Sequence, residues 1–208
     1  MLNGHRLLCV IPARAGSTRI PGKNTKMFHG KPIIQYSIDA AKRAEIFDRI
    51  IVSTDSPEAK AIAIDAGVVF HPRLSWMKND DTGTQEVGRA ALVMDRVATW
   101  EPEYSFVCVL YATAPMVSTL DILAGVKILM ADPAYRFSMP IDGETGEDPG
   151  QFYWSDVNAL LEREELKGET TFRMSINPAR CKDINYPEDW AIAEAKYLLL
   201  QDRGHALL

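Results

Sequence analysis

An α/β fold in layers, with a largely parallel sheet covered on both faces, is predicted by three observations. Short apolar runs rich in β-branched residues alternate with segments of helical period. The runs are apolar at consecutive positions, as strands buried on both faces are. Capping or proline signals stand before most helical segments. In order, RLLCVIP (6–12) is the first strand, and a helix over 32–44 has Pro32 at its start. RIIVST (49–54) is the second strand, and a helix over 57–66 opens on Ser56-Pro57. A short strand over 68–71 and a helix over 84–99 follow, then the strand SFVCVLY (105–111) and a helix over 118–131 capped by Ser118. Strands over 135–141, 151–154 and 171–176 enclose a helix over 156–164, and a last helix over 187–202 begins at Pro187.

The 208 residues, 47% hydrophobic and 25% charged, fit one globular domain spanning 1–208. The acidic, turn-rich stretch DGETGEDPG (142–150) reads as an exposed loop within it. A net charge of −5 opposes binding of nucleic acid or anionic membranes, so locally clustered cations carry more information. The cysteines, Cys9, Cys108 and Cys181, are odd in number and widely spaced, and read as buried free thiols of a reducing cytosol. No apolar stretch approaches about 18 residues, and MLNGHRLL lacks the layout of a signal peptide. The expectation is a soluble, cytoplasmic protein.

The cations cluster in IPARAGSTRIPGKN (11–24), where Arg14, Arg19 and Lys23 lie among Pro12, Gly16, Ser17, Pro21 and Gly22. The loop follows the carboxyl end of the first strand, where ligands of such sheets bind. Glycines let backbone N–H groups approach phosphate oxygens, and the cations neutralise them. Five residues separate Gly16 from Gly22 and Asn24 follows Lys23, so this is no Walker A loop, and it does not spell GxGxxG. A solvated loop paired with surface carboxylates is the plain alternative. The charge density and the two prolines favour a polyanion, best a triphosphate.

IPARAGSTRIPGKN closely resembles the N-terminal signature of the cytidylyltransferases that activate nonulosonic acids, the group of CMP-sialic acid synthetase and pseudaminic acid cytidylyltransferase. GKPIIQYSIDAA, FDRIIVSTDS, NDDTGTQEV, LYATAP and KDINYPEDWAIAE follow in that family's order. The resemblance implies a Rossmann-like, three-layer nucleotidyltransferase fold with a mainly parallel mixed sheet. It also implies transfer of CMP from CTP to an acidic sugar, with release of pyrophosphate and with Mg²⁺ as cofactor, as a step in cell-surface glycan biosynthesis. Carried over by position, Arg14 and Lys23 would contact the triphosphate and serve catalysis. Gly16 and Ser17 would donate hydrogen bonds, and Ala13 would lie near the cytosine. Thr82 and Thr84 are candidates for base or ribose contacts, beside a plain role in capping the helix from 84. Tyr111 is counted by the resemblance among the nucleotide-binding residues; it stands where sialic acid synthetases usually carry glutamine and, with GQFYW (150–154), points to the pseudaminic branch. His71 stands where arginine is common, so Arg73 takes on a shifted role.

Two departures follow. The family's Asp-Ile-Asp metal motif reads Asp183-Ile184-Asn185, so Asp183 is the expected metal ligand and Asn185 a weakened partner, with Asp189 or Glu188 as candidates to compensate. Loss of a unit charge beside a divalent ion weakens attraction by on the order of several kcal/mol before compensation. The segment around 135–155 is short where the family has an excursion serving dimerisation and the acceptor pocket. A homodimer is implied by the resemblance, but with part of its basis removed. The expected activity is cytidylyl transfer to a pseudaminic or sialic type of acid. The alternatives are a deoxy-octulosonate acceptor or a degenerate nucleotide-binding protein.

Overall fold

In the computed structural model, residues 1–74, 77, 83–99 and 103–202 are described. Their elements run β1 (Leu7–Ala13), β2 (Met27–Phe28), β3 (Lys31–Pro32), α1 (Ile33–Arg43), β4 (Arg49–Thr54), α2 (Pro57–Asp65), β5 (Val69–Pro72), α3 (Thr84–Thr99), β6 (Phe106–Leu110) and α4 (Thr119–Ala131). After them come β7 (Phe137–Asp142), β8 (Phe152–Asp156), α5 (Val157–Glu162), β9 (Thr171–Ile176) and α6 (Pro187–Asp202).

Seven strands form one sheet in the order β5-β4-β1-β6-β8-β7-β9. Only β8 runs against its neighbours, pairing antiparallel with β6 and β7, which makes the sheet mixed but mainly parallel. β1 lies at the centre, parallel to β4 and β6, and alternate residues feed opposite faces. Leu7, Cys9 and Ile11 join one core with Ile34 and Ile38 of α1, Ala59 of α2 and Ile122 of α4. Leu8 and Val10 join another with Ala91 and Leu92 of α3 and Leu160 of α5. Full burial of a Leu, Ile or Val side chain contributes about 1.5–3 kcal/mol, so β1 alone anchors both helical layers. Close packing has a local requirement too: a Cβ at Gly88 of α3 would stand 2.6 Å from Val109 of β6.

A third core lies outside the sheet. Ile20 of the opening loop, Phe28, Ile33 and Tyr36 pack with Ile184 and with Trp190, Ala193 and Leu200 of α6. Edge-to-face contacts of Phe28 with Tyr36, Trp190 and Tyr197 hold it together. The last helix thereby clamps the opening loop from behind.

The element order matches the sequence reading, with three local differences. Pro32 is the N-cap of α1, so the helix begins one residue later, at Ile33. The hairpin of β2 and β3 has only two residues per strand, too few to show a period. In 142–150, Gly143 to Glu147 are exposed as expected, but Pro149 and Gly150 turn inward and are buried. All three cysteines are free and buried. Among the described residues, no helix is long and apolar enough to cross a membrane.

Candidate active site

The loop after β1 keeps its shape largely through backbone hydrogen bonds. Lys23 N–H donates to Ile20 O at 3.1 Å, and Thr25 and Lys26 N–H both donate to Gly22 O at 2.9 Å. Gly22, at φ +61°, makes that turn possible. Asp55, just past β4, accepts the Ala15 N–H at 2.8 Å, and Asn24 Nδ2 donates to Arg14 O at 2.9 Å. Ser56 accepts the Ala59 N–H and so caps α2, as its position before Pro57 predicts.

The loop walls two adjoining cavities at the carboxyl ends of the strands. One, of about 350 Å³, is lined by Arg14, Ser17, Thr18, Arg19, Lys23, Tyr111 and Asn185. The other, of about 140 Å³, includes Pro12, Asn24, Arg73, Thr84 and Thr113, and shares Arg14, Ser17, Lys23 and Tyr111 with the first. The first suits a polyphosphate by its cations. The second, with hydroxyls, an amide and a half-buried aromatic ring, suits a nucleoside. The four shared side chains mark the junction between them.

Lys23 crosses the cleft. Its Nζ donates to the Ile184 carbonyl at 2.6 Å, joining residues 161 apart in sequence. Burial lowers its pKa, Asp183 opposes that shift, and Arg14 and Arg19 reinforce it. Arg73 is buried, donates to Met77 O at 2.6 Å, and has its pKa lowered chiefly by burial, with Asp55 opposing and Arg14 adding to the shift. It lines the second cavity together with Arg14. His71 sits apart, buried on β5 with Nε2 at 3.7 Å from Asp95, which also pairs with Arg49.

Across from the loop, Asn185 Nδ2 donates to Asp183 Oδ2 at 2.6 Å. Asp189 does not supply the missing charge: it accepts the Asn185 and Tyr186 N–H groups at 2.9 and 2.7 Å and pairs with Lys182 at 2.5 Å. Desolvation pushes its carboxyl up, but Lys182 and those N–H groups together outweigh this and hold it below the usual carboxylate range. Among the described residues, no group of three His, Cys, Asp or Glu side chains could hold a metal by itself. The donor set that remains is one carboxylate and one amide carbonyl, hard oxygens suited to Mg²⁺ only if phosphate completes the shell. Gly150 backs this pair. At φ +62°, a Cβ there would stand 2.5 Å from Asp183 Oδ1.

The structure thus brings Arg14, Ser17, Lys23, Thr84, Tyr111, Asp183 and Asn185 to one cleft. Ala13 is fully buried in the core below it, with its carbonyl accepting from the Thr54 hydroxyl, and lines neither cavity. Gly16 is exposed, with open space where a Cβ would stand. Thr82 lies outside the described residues. Sequence reasoning missed Asn24 and Thr113 as lining residues. Asn24 ends the signature and Thr113 lies in LYATAP, so their segments, though not their roles, were visible.

The model of the family described as Cytidylyltransferase matches residues 8–189. The CMP-N,N'-diacetyllegionaminic acid synthase of Legionella pneumophila is 28% identical over 232 positions, covering 95% of this chain and 98% of that protein. Since the chain has 208 residues, that relative carries stretches without a counterpart here. The pseudaminic acid cytidylyltransferase of Campylobacter jejuni is 37% identical over 119 residues, 56% of this chain and 49% of that protein, so this match spans about half of that relative's length. Among solved structures, CMP:2-keto-3-deoxy-manno-octonic acid synthetase complexed with CTP aligns with a TM-score of 0.68 over 95% of this chain and 99% of that one. At 18% identity, that likeness shows the fold.

Proposed function

Because the chain belongs to the cytidylyltransferase family, we propose that it transfers CMP from CTP to a nonulosonic acid, of the pseudaminic, legionaminic or sialic type, and releases pyrophosphate. The observation that carries this reading is the pair of cavities meeting at Arg14, Ser17, Lys23 and Tyr111. A nucleoside triphosphate laid across them puts its α-phosphate at the junction and its β- and γ-phosphates among Arg14, Arg19 and Lys23.

The acceptor's anomeric hydroxyl oxygen attacks the α-phosphorus, the bond to the β-phosphate oxygen breaks, and pyrophosphate leaves with the bonding electrons. The hydroxyl proton passes to solvent. Arg14 and Lys23 neutralise charge that grows on the leaving oxygens, and the rigid loop holds them ready, so little reorganisation is needed as the transition state forms. Ser17, and the backbone near Ala13 and Gly16, add donors along the phosphates and base. Thr84, with Thr82, serves the ribose or base. Asp183 and the Asn185 carbonyl would hold Mg²⁺, which when bound would neutralise phosphate charge. A homodimer is part of the same reading, checked by sedimentation.

Calorimetry with CTP, ATP, GTP and UTP, with and without Mg²⁺, tests the nucleotide. We expect CTP to bind at least tenfold more tightly than the others; equal affinities would overturn the assignment. Pyrophosphate release with pseudaminic, legionaminic, sialic and deoxy-octulosonic acids then identifies the acceptor. The Asn185–Asp183 hydrogen bond favours one second reading, a nucleotide-binding protein with little catalysis. In that case CTP binds and no acceptor releases pyrophosphate.

A further inference from the structure

A string of side chains runs from Tyr111 at the cleft junction to the surface, through Tyr153 and Asp148. Tyr111 follows β6 directly, its N–H held by Gln151 O at 2.8 Å. Its hydroxyl oxygen lies 3.3 Å from that of Tyr153 on β8, with the rings tilted 75° to each other. Tyr153 in turn donates to Asp148 Oδ2 at 2.6 Å. Asp148 is held from two more directions: its Oδ1 accepts the Gly150 N–H at 2.9 Å, and Lys167 Nζ stands 3.2 Å from its Oδ2.

The bonding order fixes a direction. Tyr153 donates its hydroxyl hydrogen bond to the carboxylate, so its oxygen is left to accept, and the Tyr111 hydroxyl hydrogen turns toward it. Burial raises the pKa of both phenols, so they keep their protons and the string keeps its polarity. With its hydrogen committed to Tyr153, the Tyr111 oxygen is left as an acceptor on a side chain that lines both cavities.

We propose that Tyr153 and Asp148 are positioning residues for cytidylyl transfer. They orient the Tyr111 hydroxyl so that it accepts a hydrogen bond from the acceptor sugar's attacking hydroxyl and aims that oxygen at the α-phosphate. The inference rests on the transfer reading above. Tyr111 belongs to both cavities, which is where the reacting phosphorus would lie. Small errors in the approach of a nucleophile cost rate steeply while ground-state binding is kept, so this alignment acts on turnover and not on CTP affinity.

Steady-state kinetics with CTP and the accepted sugar, beside CTP calorimetry, tests it. Tyr153→Phe and Asp148→Asn should each lower kcat by roughly tenfold to a hundredfold with CTP affinity at the wild-type value. A tyrosine that only fills space would slow turnover whatever stands at position 111. One that acts through Tyr111 costs nothing further once Tyr111→Phe is present. Wild-type kcat in Tyr153→Phe, or an added loss in the Tyr111→Phe background, overturns the proposal and leaves the transfer reading intact. A wild-type protein that binds CTP yet moves CMP onto no acceptor overturns both.

Discussion

The two sides of the cationic cavity are built in opposite ways. The N-terminal side carries its charge on long side chains, Arg14, Arg19 and Lys23, projecting from a loop whose backbone bonds to itself and to Asp55. The C-terminal side offers short side chains, Asp183 and Asn185, bonded to each other, while Asp189 is occupied by Lys182 and the start of α6. Long cations tolerate small shifts of backbone, whereas short oxygen donors act only where the backbone puts them. On the proposed reading, charge neutralisation therefore leans on the loop, and the opposite turn contributes position. Arg19 illustrates the reach: its guanidinium lies 4.9 Å from the Tyr186 ring centroid, on the far side of the cleft.

The largest expected effects come from the cationic side. Removing a preorganised donor aimed at developing charge costs about 10² to 10³ in rate. We expect Arg14→Ala and Lys23→Ala each to lower kcat/KM by that order. Lys23→Ala should also loosen the opposite turn, because it deletes the bond to Ile184 O; thermal melting would show a drop that Arg14→Ala does not share. Equal activity in the two variants and wild type would remove the loop from the chemistry.

The positional side is probed next by Gly150→Ala. Its left-handed backbone disfavours any side chain, by on the order of 1–3 kcal/mol, and the new methyl would displace the Asp183 carboxylate. A lower Tm and a higher Mg²⁺ requirement should appear together; a lower Tm with unchanged Mg²⁺ dependence would separate Gly150 from the metal ligand. A smaller effect is expected of Asn185→Asp. The second carboxylate should tighten Mg²⁺ roughly tenfold, each such factor being about 1.4 kcal/mol. Without metal it should lower stability, since the hydrogen bond to Asp183 becomes a repulsion. No change in Mg²⁺ dependence would show that the amide carbonyl already suffices.

The same contrast governs what the sequence reveals. Strands such as β1 and β6 are read directly, because burial on both faces leaves continuous apolar runs. The insertion of antiparallel β8 between β6 and β7 leaves no trace in the period of any strand and emerges only from pairing. The cationic side of the site is contiguous in the chain, so Arg14, Ser17 and Lys23 were legible together. Arg73 and Thr113 enter from other strands' ends, and their place depends on the sheet order. Ala13 shows a limit of reading by position: alternation along β1 sends its methyl into the core while its neighbour Arg14 reaches the cleft. The inward turn at Pro149 and Gly150 was hidden by composition, because a Gly- and Asp-rich stretch reads as solvated whether or not a carboxylate waits behind it.

The smallest effect tests the bridge between the two sides through pH. Burial is the first cause that lowers the Lys23 pKa from 10.5, so the folded chain gives up this proton at a lower pH than the unfolded chain does. The resulting penalty on stability is complete below the folded pKa and is relieved as pH rises from there toward 10.5, where the unfolded state binds more protons. Triphosphate binding reverses the preference, because a polyanion favours the charged amine. CTP affinity should therefore begin to fall on the alkaline side before 10.5, with proton uptake on binding in that same window, measurable as a dependence of the calorimetric heat on the buffer. Lys23→Arg keeps the charge and removes the titration, since a guanidinium does not deprotonate in this range. An alkaline loss of affinity that persists in Lys23→Arg would place the titrating group elsewhere. It would then be the guanidinium groups of Arg14 and Arg19, and not the lysine that spans the cleft, that carry the triphosphate.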